Sequence, residues 1–162
     1  MRREGQIFSL DVLFALGIFL VLLLLSLSLA RLSQERASSS LERAEMEMKA
    51  QFAMNSLLLT SGNPGNWWSN SSISSVGLTT QGDYILDINK VQALVNANST
   101  YVNMSAAFGI TGYHSYVHIK NGSTTLYSFG ENPSYTIHDV VLVERLALLQ
   151  NNVVHVEVGV WQ

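Results

Sequence analysis

The sequence predicts an α+β fold in which a long amino-terminal α-helix packs on an antiparallel β-sheet head. Two observations predict the helix: an uncharged apolar segment over 12–30 and a following stretch, 31–59, without proline or glycine. Another predicts the sheet, namely two pairs of β-type runs in the carboxyl-terminal third, each joined by a short turn that contains asparagine. A chain of 162 residues has room for this helix and one modest core.

The segment Val12–Ala30 is predicted to cross a membrane. Its nineteen residues include one glycine, two serines and no charge. As a helix it extends for about 28 Å, close to the hydrocarbon thickness of a bilayer. Arg2 and Arg3 precede it, and by the positive-inside rule they favour a cytoplasmic amino terminus. The sequence therefore predicts a single-pass protein whose head lies outside the cell.

Residues 31–61 are predicted to continue the same helix beyond the membrane. The stretch is rich in Glu, Ala, Leu, Met and Arg, which favour helix, and Gly62 with Pro64 ends it. Residues 12–60 would then form one helix of roughly 73 Å. Its second half is amphipathic, and we expect the head to cover its apolar stripe, which consists of Ala37, Leu41, Ala44, Met48 and Phe52.

The head is assigned to residues 62–162. Residues 61–82 contain Asn-Pro-Gly, two tryptophans and a serine cluster, and this composition predicts a loop. A short strand or helix follows, where Asp87 can serve as the N-cap of a helix through Val91–Val95. The head is therefore expected to begin with irregular structure before its main strands.

The first hairpin is predicted at Asn121-Gly122, a dipeptide that favours a two-residue turn between alternating runs. With that turn, Val117 would face Leu126 across the two strands. The flanking runs are HSYVHIK and STTLYSF.

A second hairpin is predicted with Asn151-Asn152 at the turn. Glu144 and Arg145 are adjacent in its first strand, so one of them should lie on the core side unless a bulge intervenes. The last strand should direct one set of valines to one face: Val154, Val156, Val158 and Val160. The two hairpins together predict an antiparallel sheet of four or more strands on the distal half of the helix.

The composition narrows the classes of function. The net charge is −3 and the basic residues are scattered, which does not favour a nucleic-acid surface. Without cysteine, disulfide scaffolds, cysteine nucleophiles and thiolate metal sites are excluded. His114 and His118 have a spacing that can chelate a metal, but zinc needs further ligands and we expect two exposed histidines. The sequence predicts no enzyme, no catalytic residues, no metal and no cofactor.

Four N-glycosylation sequons follow the helix. The candidate acceptors are Asn70, Asn98, Asn103 and Asn121, whereas Pro133 disqualifies Asn132. One of the four stands at the predicted turn of the first hairpin. This placement is what an extracellular head predicts.

The amino terminus resembles that of archaeal type IV pilin-like proteins with class III signal peptides. The residues that carry the resemblance are Gly5, Gln6, Ser9 and Asp11, behind two arginines and ahead of the apolar segment. The head also resembles archaeal proteins with a Gly-Asn-Pro-x-Asn-Trp turn after the long helix, here Gly62 to Trp67, and a Val-Trp near the end, here Val160 and Trp161.

The resemblance implies a pilin-like architecture with residues 1–5 as a leader and 6–30 as a membrane and assembly helix. A prepilin peptidase would act on the segment that contains Gly5, Gln6 and Ile7. A cut after Gly5 makes Asp11 the sixth residue of the mature chain, and a cut after Gln6 makes it the fifth. It also implies that the helices of many subunits, with the pilus assembly machinery, form a central bundle. Asp11 would there meet the free amino terminus of a neighbour, since a carboxylate in a dry bundle is costly unless compensated.

Two alternatives remain open at the level of sequence. The chain could be a single-pass, membrane-anchored extracellular binding module that does not polymerise. It could also carry an ordinary secretory signal, because Ser28-Leu29-Ala30 has the small-x-small pattern of a signal peptidase site. In that case a soluble domain would begin at Arg31.

Overall fold

The structure, a computed structural model, describes residues 4–69, 73–80, 84–97, 105–131, 133 and 139–162. The chain divides into two compact units, Met1–Glu42 and Arg43–Gln162. The first unit contains the amino-terminal part of helix α1. The second contains the rest of α1 and the β-sheet.

Helix α1 runs without a break from Glu4 to Leu59, which confirms the prediction of one long helix. The absence of proline and glycine from its second half allows the i to i−4 hydrogen bonds to continue. Past its end, the Thr60 hydroxyl donates to the Ser56 carbonyl at 2.7 Å and accepts from the Gly62 N–H at 3.2 Å. The Gly62 backbone has a φ of 80°, a conformation that favours glycine where a helix stops.

The segment predicted as a loop contains a small ribbon and one helical turn. Strands β1 (Gly62–Asn63) and β2 (Ser75–Val76) pair antiparallel, with a 3₁₀ turn at Trp67–Ser69 between them. Trp67 is buried, and its indole N–H donates to the Gly77 carbonyl at 2.9 Å. The buried indole thus holds the ribbon against the core.

Strand β3 (Ile85–Leu86) leads into helix α2 (Ile88–Asn96). The Asp87 carboxylate accepts from the Asn89 N–H at 2.8 Å, so the predicted N-cap is confirmed. Lys90 of α2 is buried and donates to the carbonyls of Ser61 at 2.8 Å and Thr79 at 2.7 Å. Burial lowers the pKa of the Lys90 ammonium, although the nearby Asp87 charge acts in the opposite direction.

Four long strands and β3 form a five-stranded sheet in the order β3-β6-β7-β4-β5. The long strands are β4 (His114–Asn121), β5 (Thr124–Gly130), β6 (Val140–Leu149) and β7 (Asn152–Trp161). They pair antiparallel, whereas β3 is parallel to β6. The predicted α+β fold, with the helix packed on a mostly antiparallel sheet, is confirmed.

The core lies between the second half of α1 and the inner face of the sheet. The predicted valines of β7 all lie in it. The prediction that the apolar stripe of α1 packs on this core is wrong, because Leu41, Met48 and Phe52 are 72%, 66% and 60% exposed. Ala37 and Ala44 are exposed as well. The helix instead buries the opposite side, formed by Met46, Ala50, Ala53, Met54 and Leu57, where two alanines allow close approach to the core.

The first hairpin differs from the prediction in turn and in register. Asn121 pairs with Thr124, so the turn is Gly122-Ser123, and an irregularity at Ile119/Lys120 shifts the pairing. Val117 therefore faces Phe129 instead of Leu126. The shift buries the Phe129 ring, which meets the edge of Phe108 at a centroid distance of 5.7 Å, and leaves Leu126 45% exposed. Burial of the larger side chain accounts for this choice.

The second hairpin turns one residue earlier than predicted. Leu149 pairs with Asn152, and the turn residues Gln150 and Asn151 have φ values of 50° and 64°, typical of a tight hairpin turn. The register of β6 and β7 continues without a shift, which places Arg145 on the core side opposite Val156. Arg145 donates there to the Gln51 side chain of α1 at 3.0 Å. The prediction that one of the two adjacent charges lies on this side is confirmed.

Candidate functional sites

The predicted processing and assembly residues lie at the start of α1. Gly5, Gln6 and Ile7 are within its first turn, because the helix begins at Glu4. Asp11 follows one turn later and is exposed. Their roles in processing and assembly stay predictions.

The apolar part of α1 can cross a membrane by length and composition. Within the described residues, one helix meets this criterion, and none of its most apolar window is buried. Signal sequences and the core helices of soluble proteins meet the same criterion, although core helices are mostly buried. Every side chain from Leu10 to Glu45 is exposed, so none of the residues that the structure describes covers them.

One of the predicted glycosylation sites falls within the described residues. Asn121 is exposed at the end of β4, directly before the turn of the first hairpin. Asn70, Asn98 and Asn103 lie outside the described residues. An enzyme could therefore reach the Asn121 amide without unfolding the sheet.

The histidines considered as metal ligands have different neighbours. His114 Nδ1 lies 2.7 Å from a Glu131 oxygen and its ring stacks on Trp161, whereas His118 Nδ1 lies 3.8 Å from a Glu157 oxygen. No group of three or more His, Asp or Glu in the described part of the chain could hold a metal ion.

A polar cluster on the outer face of the sheet, away from α1, is the main feature that sequence reasoning missed. We call Tyr116, His118, Lys120 and Glu157 the Glu157 cluster. Glu157 is only 8% exposed. It accepts hydrogen bonds from the Tyr116 hydroxyl at 2.6 Å and from the Lys120 ammonium at 2.5 Å. The carboxylate therefore joins strands β4 and β7 on the face opposite the apolar core.

The electrostatics of this cluster favour a charged Glu157. Burial alone would raise the pKa of the Glu157 carboxyl, but hydrogen bonds from Lys120 and Tyr116 and the charges of Lys120 and His118 hold it below its ordinary value. Burial, together with the hydrogen bond to the carboxylate, raises the pKa of the Tyr116 hydroxyl well above its ordinary value. The tyrosine therefore stays a hydrogen-bond donor at neutral pH.

Gly159 explains how Tyr116 reaches the carboxylate. Gly159 pairs with Tyr116 across β4 and β7, and a Cβ at Gly159 would collide with the Tyr116 ring. The ring therefore lies over the glycine and directs its hydroxyl along β7 to Glu157. One sequence signal was present, since the alternating valines on both sides of Glu157 place it on the outer face. Its partners depend on the pairing of strands that are far apart in sequence.

Two exposed apolar surfaces lie on opposite sides of the unit Arg43–Gln162. The first, the outward stripe, consists of Met48, Phe52 and Leu59 on the side of α1 that faces away from the sheet. The second, the outer patch, lies on the outer face of β3, β6 and β7 and consists of Ile85, Leu142, Leu146, Leu148 and Val153, which are between 41% and 56% exposed. Surfaces of this kind are typical of interaction sites.

Comparison with known proteins assigns this chain to no family. The chain matches no protein-family model, no curated protein and no solved structure. The functional argument therefore depends on the residues and their geometry.

Proposed function

We propose that this chain is a type IV pilin-like structural subunit. A prepilin peptidase removes the leader after Gly5 or Gln6 on the cytoplasmic side and leaves the apolar helix attached to the head. The subunit then assembles through that helix with other pilin-like subunits and the pilus machinery. The head lies outside the cell, where it carries glycans and serves adhesion or surface contact.

The observation that carries this proposal is the complete exposure of the apolar part of α1. Side chains from Leu10 to Leu29 are exposed even though they are almost all apolar. In water such a surface is unstable, since each buried methylene contributes about 0.8 kcal/mol. A bilayer before assembly and a bundle of helices after assembly both cover it.

Asp11 supports assembly over simple anchoring. A plain membrane anchor gains nothing from a carboxylate beside its apolar segment, because a charge in the membrane is costly without a partner. A cut after Gly5 or Gln6 creates a free ammonium group on Gln6 or Ile7 of each copy, five or four residues before Asp11. In a bundle, the ammonium group of one copy can neutralise the carboxylate of the next.

Determining the mature amino terminus separates the proposed function from a secretory signal. The proposal expects natural protein that begins at Gln6 or Ile7. A start at Arg31 would overturn it, because the apolar helix would then be lost. Filaments sheared from the cells should also contain this chain, and a chain found solely in membranes as single copies would support the anchored binding module instead.

Substitution of Asp11 tests the pairing. Asp11→Ala should leave cleavage intact but reduce incorporation into filaments by about tenfold or more, the factor that corresponds to a loss of about 1.4 kcal/mol. Asp11→Glu, which keeps the charge, is the matched control and should incorporate better. Quantitative blots of sheared filaments and membranes measure the effect. Normal incorporation of Asp11→Ala would contradict the role of the carboxylate.

A further inference from the structure

The head unit has two layers, and each layer leaves an apolar surface exposed on its outer side. The inward side of α1 covers the inner face of the sheet through residues such as Ala53 and Leu57. The outward stripe therefore faces away from the sheet, and the outer patch faces away from α1. Because the two surfaces point in opposite directions, neither can cover the other within one chain.

The outer patch extends across three strands. Ile85 pairs with Leu148, and Leu148 pairs with Val153, so these side chains form one row across β3, β6 and β7. Leu146 and Leu142 extend the patch along β6 over about 20 Å. The outward stripe, from Met48 to Leu59, covers about 16 Å of helix. The two surfaces therefore match in length.

The outward stripe is held in place along one edge. A Cβ at Gly109, whose φ is 75°, would come within 3.0 Å of the Phe52 ring, so the ring lies directly beside this backbone. Lys49, next to the stripe, donates to the Thr111 carbonyl at 3.0 Å and lies over the Tyr113 ring. Because these contacts already order the side chains of the outward stripe, little conformational entropy is lost when the stripe docks.

The size of the surfaces fits a contact between two heads. The outer patch exposes roughly a few hundred Å² of apolar surface, the range in which patches on monomers are functional. A stable interface buries about 800 Å² on each partner, with an apolar core and a polar rim. The outer patch would form the apolar core of the interface, and the polar side chains beside the patch would form its rim.

The charges beside both surfaces are compatible with burial. Glu144, which interrupts the outer patch, is paired with His155 at 2.5 Å. Glu45, beside the outward stripe, is paired with Lys49 at 3.4 Å. A lipid surface is disfavoured as the occupant of the outer patch, because the Glu144 carboxylate lies between Leu142 and Leu146 and repels anionic headgroups. A second helix is favoured, because the same sheet already accepts the inward side of α1 on its inner face.

We propose that the outward stripe of one copy docks on the outer patch of the next copy, which repeats the helix-on-sheet packing between chains. The proposal rests on the proposed function as a filament subunit and identifies a contact between its heads. The two surfaces differ, so the contact is heterologous, and its repetition adds copies in one direction. Such a contact stacks helix and sheet layers alternately along an assembly.

Engineered cysteines test this contact, because the chain has none of its own. Full-length Met48→Cys and Leu146→Cys chains are co-expressed in the source cells and oxidised mildly. The expected result is a disulfide-linked dimer whose yield is about tenfold or more above that of the controls, because docking raises the effective concentration of the two thiols. Glu47→Cys replaces Met48→Cys in one control, and Leu126→Cys replaces Leu146→Cys in the other, since both are exposed positions outside the two surfaces.

A chain that carries both Met48→Cys and Leu146→Cys tests the direction of growth. Open stacking predicts a ladder of linked multimers, whereas dimers alone would contradict it. Strong self-linking of Met48→Cys alone, or of Leu146→Cys alone, would mean that like surfaces pair and would overturn the proposal. The absence of any link, when a soluble maleimide still modifies both thiols, would also overturn it. If sheared filaments contain the chain but no disulfide link forms, this contact alone is refuted. If disulfide links form but no filament contains the chain, the proposed function is refuted instead.

Discussion

At the scale of single residues, Glu157 is one of two charged side chains, with Lys90, that are buried in the described part of the head. It is buried on the outer face of the sheet, where it depends on Lys120 and Tyr116 for hydrogen bonds. Removal of one partner from a buried charged pair leaves the other unpaired, which costs more than the pair itself contributes. Gly159 belongs to the same arrangement, because it provides the space for the Tyr116 ring.

Glu157→Gln should lower the free energy of unfolding at pH 7 by about 2 kcal/mol, because the half-buried Lys120 loses its counter-charge. The pKa of Glu157 is lower in the folded chain than its ordinary value of 4.5, so its contribution is fully present above pH 4.5 and is lost as the pH falls below it. The difference between wild type and variant should therefore shrink in acid. Denaturant unfolding at several pH values measures it.

Glu131→Gln is the matched control, since Glu131 pairs with an exposed His114. It should change stability by less than about 0.5 kcal/mol. An equal loss in both variants would argue against a special role of the Glu157 cluster.

At the scale of elements, α1 carries two apolar sides, and the chain buries only one of them. Ala50 and Ala53 are fully buried there, whereas Met48 and Phe52 remain exposed. Both sides have spacings of three and four residues, so periodicity predicts that each is a face. It does not determine which face meets the sheet, because that depends on the volume available between helix and strands.

Ala50→Leu should destabilise the head by about 1 to 3 kcal/mol, because the added methylenes have no space between α1 and the core. Ala44→Leu is the matched control, since Ala44 is exposed on the same helix, and it should be neutral within about 0.5 kcal/mol. Thermal unfolding of both variants measures the two losses of stability. Equal stability would mean that α1 packs through the other side, as the sequence had predicted.

At the scale of the whole molecule, the described core begins only at Met46. No residue of the first unit belongs to the hydrophobic core that the structure describes. The head can therefore be treated as a folding unit that does not depend on the apolar helix. The stability of a head that contacts no other copy should therefore be the same in a membrane and in solution.

A fragment Arg43–Gln162 should fold without the apolar helix and unfold cooperatively. Its midpoint should lie within about 8 °C of that of the full chain in detergent, since 1 kcal/mol corresponds to about 4–8 °C for a domain of this size. Circular dichroism measures both. A fragment without a cooperative transition would show that residues before Arg43 are needed for the fold.

Local periodicity and capping were enough to predict the long helix, the apolar segment, the Asp87 cap and the face shared by the alternating valines. It also located Asp11 and Asn121. The three-dimensional fold was needed to show which side of α1 is buried, how the first hairpin shifts to bury Phe129, and that Tyr116 and Lys120 meet Glu157. These outcomes depend on volume and on pairing between distant strands, and neither is encoded in the spacing of nearby residues.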